Sequence, residues 1–282
     1  MTDQANDLRK LIRTPARHAA ADSAHAPPRL IVVASGKSGS GTTTVAVNLA
    51  AALARDGRRT VLVDADMQHA DATKLCHVET VESIADVLAG RRSLHEALTR
   101  GPGGVLVLPG VWGHRETIDG SPRAQQRLLD ELNCLGAYAD FVVIDAGSNA
   151  DGTMARFWEA ADRVLLVTTP DTMAIMDTYA MIKSLATREM ASALCTFVNA
   201  VPNARVADDV HDRLARAAKR FLGIAMTPAG CLSQDAVVGA ATADLQVLLT
   251  AAEDSVAAKQ FEHIAQQLAG SSTGPTGWKR AA

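Results

Sequence analysis

Aromatic side chains are scarce: five Phe, three Trp and two Tyr make up 4% of 282 residues. With so few rings, the core has to be filled by Ala, Val, Leu and Ile, within a hydrophobic content of 48%. An excess of one charge sign is missing too. Against 28 Lys and Arg stand 31 Asp and Glu, a net charge of −3, which carries no global signature of nucleic-acid binding. The four cysteines, Cys76, Cys134, Cys195 and Cys231, are far apart and form no C-x-x-C or other metal spacing. That argues against a metal ribbon or disulfide framework and for reduced thiols in a cytoplasmic protein. No apolar run approaches the ~20 residues of a membrane span. The polar N-terminus lacks the apolar stretch of a secretory signal. The length allows one large domain or two small ones.

What is present is a regular alternation. Residues 1–13 place Ala5, Leu8 and Ile12 on one face of a short helix that Pro15 stops. Residues 14–29 are rich in Ala, Pro and His without periodicity and read as a flexible linker. From Leu30 apolar runs alternate with helical stretches. Strands are expected at 30–34, 60–64, 104–108, 140–145, 163–168 and 194–199. Helices are expected at 43–56, 82–89, 93–99, 122–137, 151–161, 172–189, 204–221 and 252–269. Continuous apolar strands such as Val142-Val143-Ile144 suit a sheet covered on both faces. The expected fold is α/β, a doubly wound, mostly parallel sheet over 30–269, with ligands at the carboxyl ends of the strands. Residues 270–282 read as a disordered tail.

Ser35 to Thr44 reads S-G-K-S-G-S-G-T-T-T, directly after the strand Leu30–Ala34. The P-loop pattern G-x-x-x-x-G-K-S/T fits Gly36 through Thr43 at every position but one, since Thr42 stands where the lysine belongs. A strand, a glycine-rich turn and a helix N-terminus aim backbone N–H groups at phosphate. Gly36, Lys37, Ser38, Gly39, Ser40, Gly41, Thr42, Thr43 and Thr44 are therefore the candidate nucleotide-binding residues, and Thr43 carries the hydroxyl placed to ligate Mg²⁺. Two further strands end in acids: Val61-Leu62-Val63 leads into Asp64 and Asp66, and Phe141–Ile144 into Asp145. Carboxylates delivered to the carboxyl edge of a sheet suit Mg²⁺ and water positioning. Asp145 fits the Walker B position and Asp66 a carboxylate that orients an attacking water. Asp64 joins Thr43 and Asp145 as a candidate metal residue.

The displaced lysine carries a resemblance. Lys37 followed by Ser38-Gly39-Ser40-Gly41 resembles the deviant Walker A loop, K-G-G-x-G-K-S/T, of the MinD/ParA ATPases. The segments 64–71 and 141–151 resemble that family's switch I and switch II, and 161–183 its next strand and helix. Within the family, 83–110 and 213–224 are similar to the flagellar-number regulators known as FlhG, FleN or YlxH. So is Asp3-Gln4-Ala5-Asn6-Asp7-Leu8-Arg9, which matches their D-Q-A-x-x-L-R motif. The resemblance implies a SIMIBI-class P-loop fold and ATP with Mg²⁺ as cofactors. It implies a homodimer in which Lys37 reaches the partner's nucleotide, making Lys37, Asp66 and Asp145 the catalytic candidates, and it implies adenine recognition by Asn199. It also implies that Asp3, Gln4, Ala5, Leu8 and Arg9 dock on the SRP-type GTPase FlhF and activate it. Flagellar switch components or a flagellar transcription regulator are further partners in kind, peripheral membrane contact is inherited from relatives, and no direct nucleic-acid partner is expected.

The departures bear on turnover. Thr42 replaces the second lysine and Ser38 a glycine, and a missing P-loop lysine weakens nucleotide affinity and hydrolysis. Two other readings therefore stand beside the ATP-switched flagellar regulator: a hydrolysis-deficient scaffold, and another MinD/ParA-type cargo positioner.

Overall fold

The computed structural model describes residues 26–66, 69–79, 81–111, 119–148, 155–185 and 194–270. The expected helix 1–13, with Asp3, Gln4, Ala5, Leu8 and Arg9, lies outside the described residues, as do most of the linker 14–29 and the tail from residue 271.

The strands are β1 (Arg29–Ala34), β2 (Thr60–Asp64), β3 (Thr99–Arg100), β4 (Leu106–Leu108), β5 (Phe141–Asp145), β6 (Arg163–Thr168), β7 (Leu194–Val201) and β8 (Thr227–Ser233). They form one sheet in the order β3-β4-β2-β5-β1-β6-β7-β8. All neighbours are parallel except the short β3, which runs antiparallel to β4. The helices are α1 (Thr42–Arg55), α2 (Asp71–Leu75), α3 (Ile84–Leu88), α4 (Leu94–Ala97), α5 (Pro122–Asn133), α6 (Ala155–Ala160), α7 (Thr172–Leu185), α8 (Ala204–Ala217), α9 (Ala236–Ala243), α10 (Leu248–Ala251) and α11 (Val256–Gly270).

Strand alternation divides the core. Leu30, Val32, Val142 and Ile144 pack on one face with α3, α5 and α6. Ile31, Val33, Val143 and Leu165 pack on the other with α1 and α11. Both faces being covered explains why β1 and β5 read as unbroken apolar runs. α1 is buried from Val45 to Leu53, because α11 lies over it, and Arg55 ties the two by ion pairs to Glu262 of α11 and to Glu253 in the turn before it.

Several expected boundaries change. The helix expected at 122–137 is α5 followed by a 3₁₀ turn, and that expected at 204–221 is α8 followed by a π turn over Ala218–Leu222. β8 had no sequence signal: Thr227–Ser233 carries Pro228 and Gly230, and only an edge position with a register shift against β7 accommodates them. Among the described residues no helix is long and apolar enough to cross a membrane.

Candidate functional site

The sheet order sets the site. β1 lies between β5 and β6, and β2 lies beside β5, so the loop after β1 meets the acids ending β2 and β5. Register partners Asp64 and Asp145 face each other across that edge. Three backbone hydrogen bonds tie the edge together: Ser35 N–H donates to Gly147 O (3.0 Å), Ala146 N–H to Val33 O (2.9 Å) and Ala65 N–H to Asp145 O (2.9 Å).

The structure brings the loop residues together at the start of α1, with Thr42 turned away from the others. Gly41, with a positive φ of 89°, precedes α1, and no side chain caps that helix. Its first N–H groups are therefore left for another acceptor. A Cβ at Gly36 would overlap the backbone of Asp177 and Thr178, so the loop rests directly on α7. Thr42 does not point at the phosphate position. It is 6% exposed, and its hydroxyl donates to Ser35 Oγ (2.7 Å), which in turn donates to Lys37 O (3.0 Å). The residue that replaces lysine is a peg holding the loop from inside. Thr43 and Thr44 remain half-buried at the helix start, and Ser38 and Gly39 are exposed.

Lys37 is held in its own chain. Its Nζ meets Asp171 Oδ2 at 2.7 Å, both side chains being nearly half exposed. Asp171 also accepts the Ala174 N–H (3.0 Å) as a cap on α7. The Lys37 contact, then this cap, hold the Asp171 carboxyl below the usual range. Asn199, at the end of β7, donates from Nδ2 to Ser40 O (2.9 Å) and accepts the Ala200 N–H at Oδ1 (2.9 Å). It therefore braces the loop.

The acids are more deeply buried than capping residues would be. Asp64 and Asp145 are fully buried. Burial raises the pKa of Asp64, Asp145 close by adds to the shift, and two hydrogen bonds from Thr73 oppose it. Those bonds run from Thr73 N–H (2.8 Å) and Oγ1 (2.6 Å) to Asp64 Oδ2, and Gly110 N–H in turn donates to Thr73 Oγ1 (2.8 Å). Burial also raises Asp145, while Thr43 and the Gly147 N–H favour its charged form. Among the described residues Asp64 Oδ1 and Asp145 Oδ2 have no hydrogen-bond partner, the kind of orphaned buried acceptor that calls for a missing group. Asp66 leans against Gly147, where a Cβ would overlap its carboxylate, and accepts the His69 N–H (3.2 Å). Burial beside these acids pushes the Cys76 thiol up to about 12, so it stays a thiol.

Sequence reasoning missed Ser35, Thr73, Gly147 and Asp171. Asp171 had a signal, an Asp directly before the first residue of a periodic apolar helix. The others act through contacts that no local pattern announces.

A family model described as an AAA domain matches residues 28–192. Antiactivator FleN of Pseudomonas aeruginosa is 31% identical over 242 residues, 86% of each chain. The septum site-determining protein MinD of Pyrococcus horikoshii OT3, solved as a complex with Mg-ADP, superposes with a TM-score of 0.71 at 25% identity. That match covers 86% of this chain and 98% of that one. The chain belongs to the MinD/ParA family of P-loop NTPases. Flagellum site-determining protein YlxH of Helicobacter pylori is 31% identical over 193 residues, 68% of this chain and 64% of that one. The MinD/ParA fold recurs in MinD of an Aquifex aeolicus MinC:MinD complex, with a TM-score of 0.69 at 22% identity over 89% of this chain and 99% of that one.

Proposed function

We propose that this MinD/ParA-family chain is a nucleotide-binding regulator of flagellar placement and number, acting as an ATP-dependent homodimer switch in the cytoplasm. The observation that carries it is the pairing of an uncapped helix N-terminus behind a glycine loop with the buried, partnerless oxygens of Asp64 and Asp145. The names of two relatives, an antiactivator and a flagellum site-determining protein, supply the flagellar assignment.

Asp64, Asp66 and Asp145 alone would repel phosphate, so the nucleotide has to arrive with a divalent cation. The residues fit Mg²⁺: the Thr43 hydroxyl and Asp145 Oδ2 would hold its shell, with Asp64 behind them. Among the described residues no three acidic, His or Cys side chains form a metal cluster. This agrees with an ion carried largely by phosphate and water. When bound, Mg²⁺ neutralises phosphate charge. The chain's own part is to cradle phosphate with the Gly36–Thr44 amides and to place Asp66 against a water. Recognition of the base by Asn199 would require its amide to leave Ser40 O.

Lys37 would then have two partners, Asp171 in cis and a neighbouring protomer's phosphate in trans. Removing the first should favour the second. Asp171→Asn removes the charge and keeps an acceptor for the Ala174 N–H; it is expected to leave thermal stability almost unchanged, because an exposed pair contributes little, and to raise the dimer fraction in Mg·ATP. Sedimentation velocity of both proteins checks this; equal dimer fractions would detach Lys37 from the switch. Calorimetry with Mg·ATP and Mg·ADP tests the nucleotide reading itself, and no binding by the natural chain would leave the scaffold reading, which the inward-turned Thr42 favours.

The finer part of the proposal is that residues 1–13 dock on FlhF and activate it by a helix-in-groove contact. Gln4→Ala with Leu8→Ala should abolish stimulation of FlhF GTPase activity while the melting curve stays that of the natural chain. Undiminished stimulation would sink the docking segment without touching the nucleotide site.

A further inference from the structure

A second feature lies away from the nucleotide loop. Where α5 meets α6, Pro122, Arg123, Gln126, Arg127 and Asp130 form an open-sided cleft with Arg156, about 440 Å³ in volume. Three arginines from two helices line it, and the Arg127 guanidinium lies against the end of α3, by Leu88 and Gly90. Asp130 is occupied by Gln126, whose Nε2 donates to it (3.0 Å), and Gln126 Oε1 accepts from Arg156 Nη1 (3.5 Å). Arg127 donates from Nη2 to Leu88 O, while its buried Nε has no acceptor among the described residues. Among the described residues Arg123 has no ion pair. Asp119 also feels Arg127, and it is already held by Ser121. The cleft therefore offers more planar donors than its own acceptors use, on a chain whose net charge is −3.

The geometry points to a docking cleft for an acidic segment of a partner protein, whose Asp or Glu carboxylates pair with Arg123 and Arg156, with the Arg127 charge behind them. Planar forks held on helices match carboxylates two bonds at a time. A nucleic-acid duplex needs a longer basic track, since three cations give only a small electrostatic contribution. A lipid surface needs apolar insertion beside charge, and none of the large exposed apolar residues, Val81, Met173, Met176, Phe221, Val237, Leu245 and Val256, lies on α5 or α6. This assignment goes beyond the nucleotide reading and does not depend on it.

The test uses the full chain and fluorescein-labelled hexaglutamate, followed by anisotropy at low salt. The natural chain should bind, and Arg123→Ala with Arg156→Ala should weaken binding about tenfold or more. Lys219→Ala with Arg220→Ala, on a distant basic turn, should change it less than about twofold. Unchanged Mg·ATP affinity and melting of the Arg123/Arg156 variant would show that the loss is local. Absence of binding at about 1 mM peptide overturns the proposal, as does equal loss in the Lys219/Arg220 variant. Tighter binding of a labelled DNA duplex or of phosphatidylserine vesicles through the same arginines would reassign the cleft and overturn it too.

Discussion

Replacing Thr42 by lysine should tighten Mg·ATP binding by roughly 10- to 100-fold, the equivalent of one charge-assisted contact of about 1.5–3 kcal/mol. The natural side chain cannot make that contact, because its hydroxyl is turned inward to Ser35 Oγ at 2.7 Å. Thr42 opens α1, where a longer side chain can reach past the loop to the phosphate position. The inner hydrogen bond would be lost, at about 1 kcal/mol, while Ser35 keeps Lys37 O as its acceptor.

Thr42→Val separates the two effects. It removes the inner bond and adds no charge, so it should lower stability by about 1 kcal/mol and leave the lysine-specific gain absent. Calorimetric titration of the three proteins reads the difference. If Thr42→Lys binds no better than the natural chain, then backbone amides and Lys37 already supply all the phosphate affinity the site has. If turnover also appears with the lysine, that missing charge is what withholds hydrolysis in the natural protein, and its regulation would run on binding and release.

The parts of this site legible in the sequence are those encoded by neighbours in the chain. β1, β2 and β6 lie where continuous apolar runs place them, and the loop after β1 follows from glycine spacing. Asp64 and Asp145 could be placed at one edge because parallel strands end together. What was not legible depends on distance in sequence. The Thr73 hydrogen bonds to Asp64 span nine residues through α2, a helix of five residues too short to show a period. The Lys37–Asp171 pair spans 134 residues, and nothing in S-G-K-S or T-T-P-D foretells it. The arginine cleft was hidden for the same reason: Arg123 and Arg127 share a face of α5, but Arg156 reaches them only through the packing of α6 on α5.

Asp64→Asn should stabilise the nucleotide-free protein near pH 8, by enough to raise Tm measurably. Burial and Asp145 raise the Asp64 pKa in the folded chain from its ordinary 3.8 to about 8. A raised acid holds its proton more tightly when folded, so stability falls as pH climbs from the unfolded value toward the folded one. The gain from the Asp64→Asn change should therefore be near zero at about pH 4 and largest at about pH 8, opposite in sign to the usual salt-bridged carboxylate. The amide keeps an acceptor for Thr73 and puts a donor where Asp64 Oδ1 now has no partner. The same change should weaken Mg·nucleotide binding, because it removes one of the charges that favour the divalent ion. Thermal melts from pH 4 to 8, with and without Mg·ATP, check both halves. A Tm difference that is flat with pH would mean that Asp64 is not a strained buried acid. Higher stability accompanied by weaker ligand binding would identify Asp64 as a residue kept for the site at the expense of the fold.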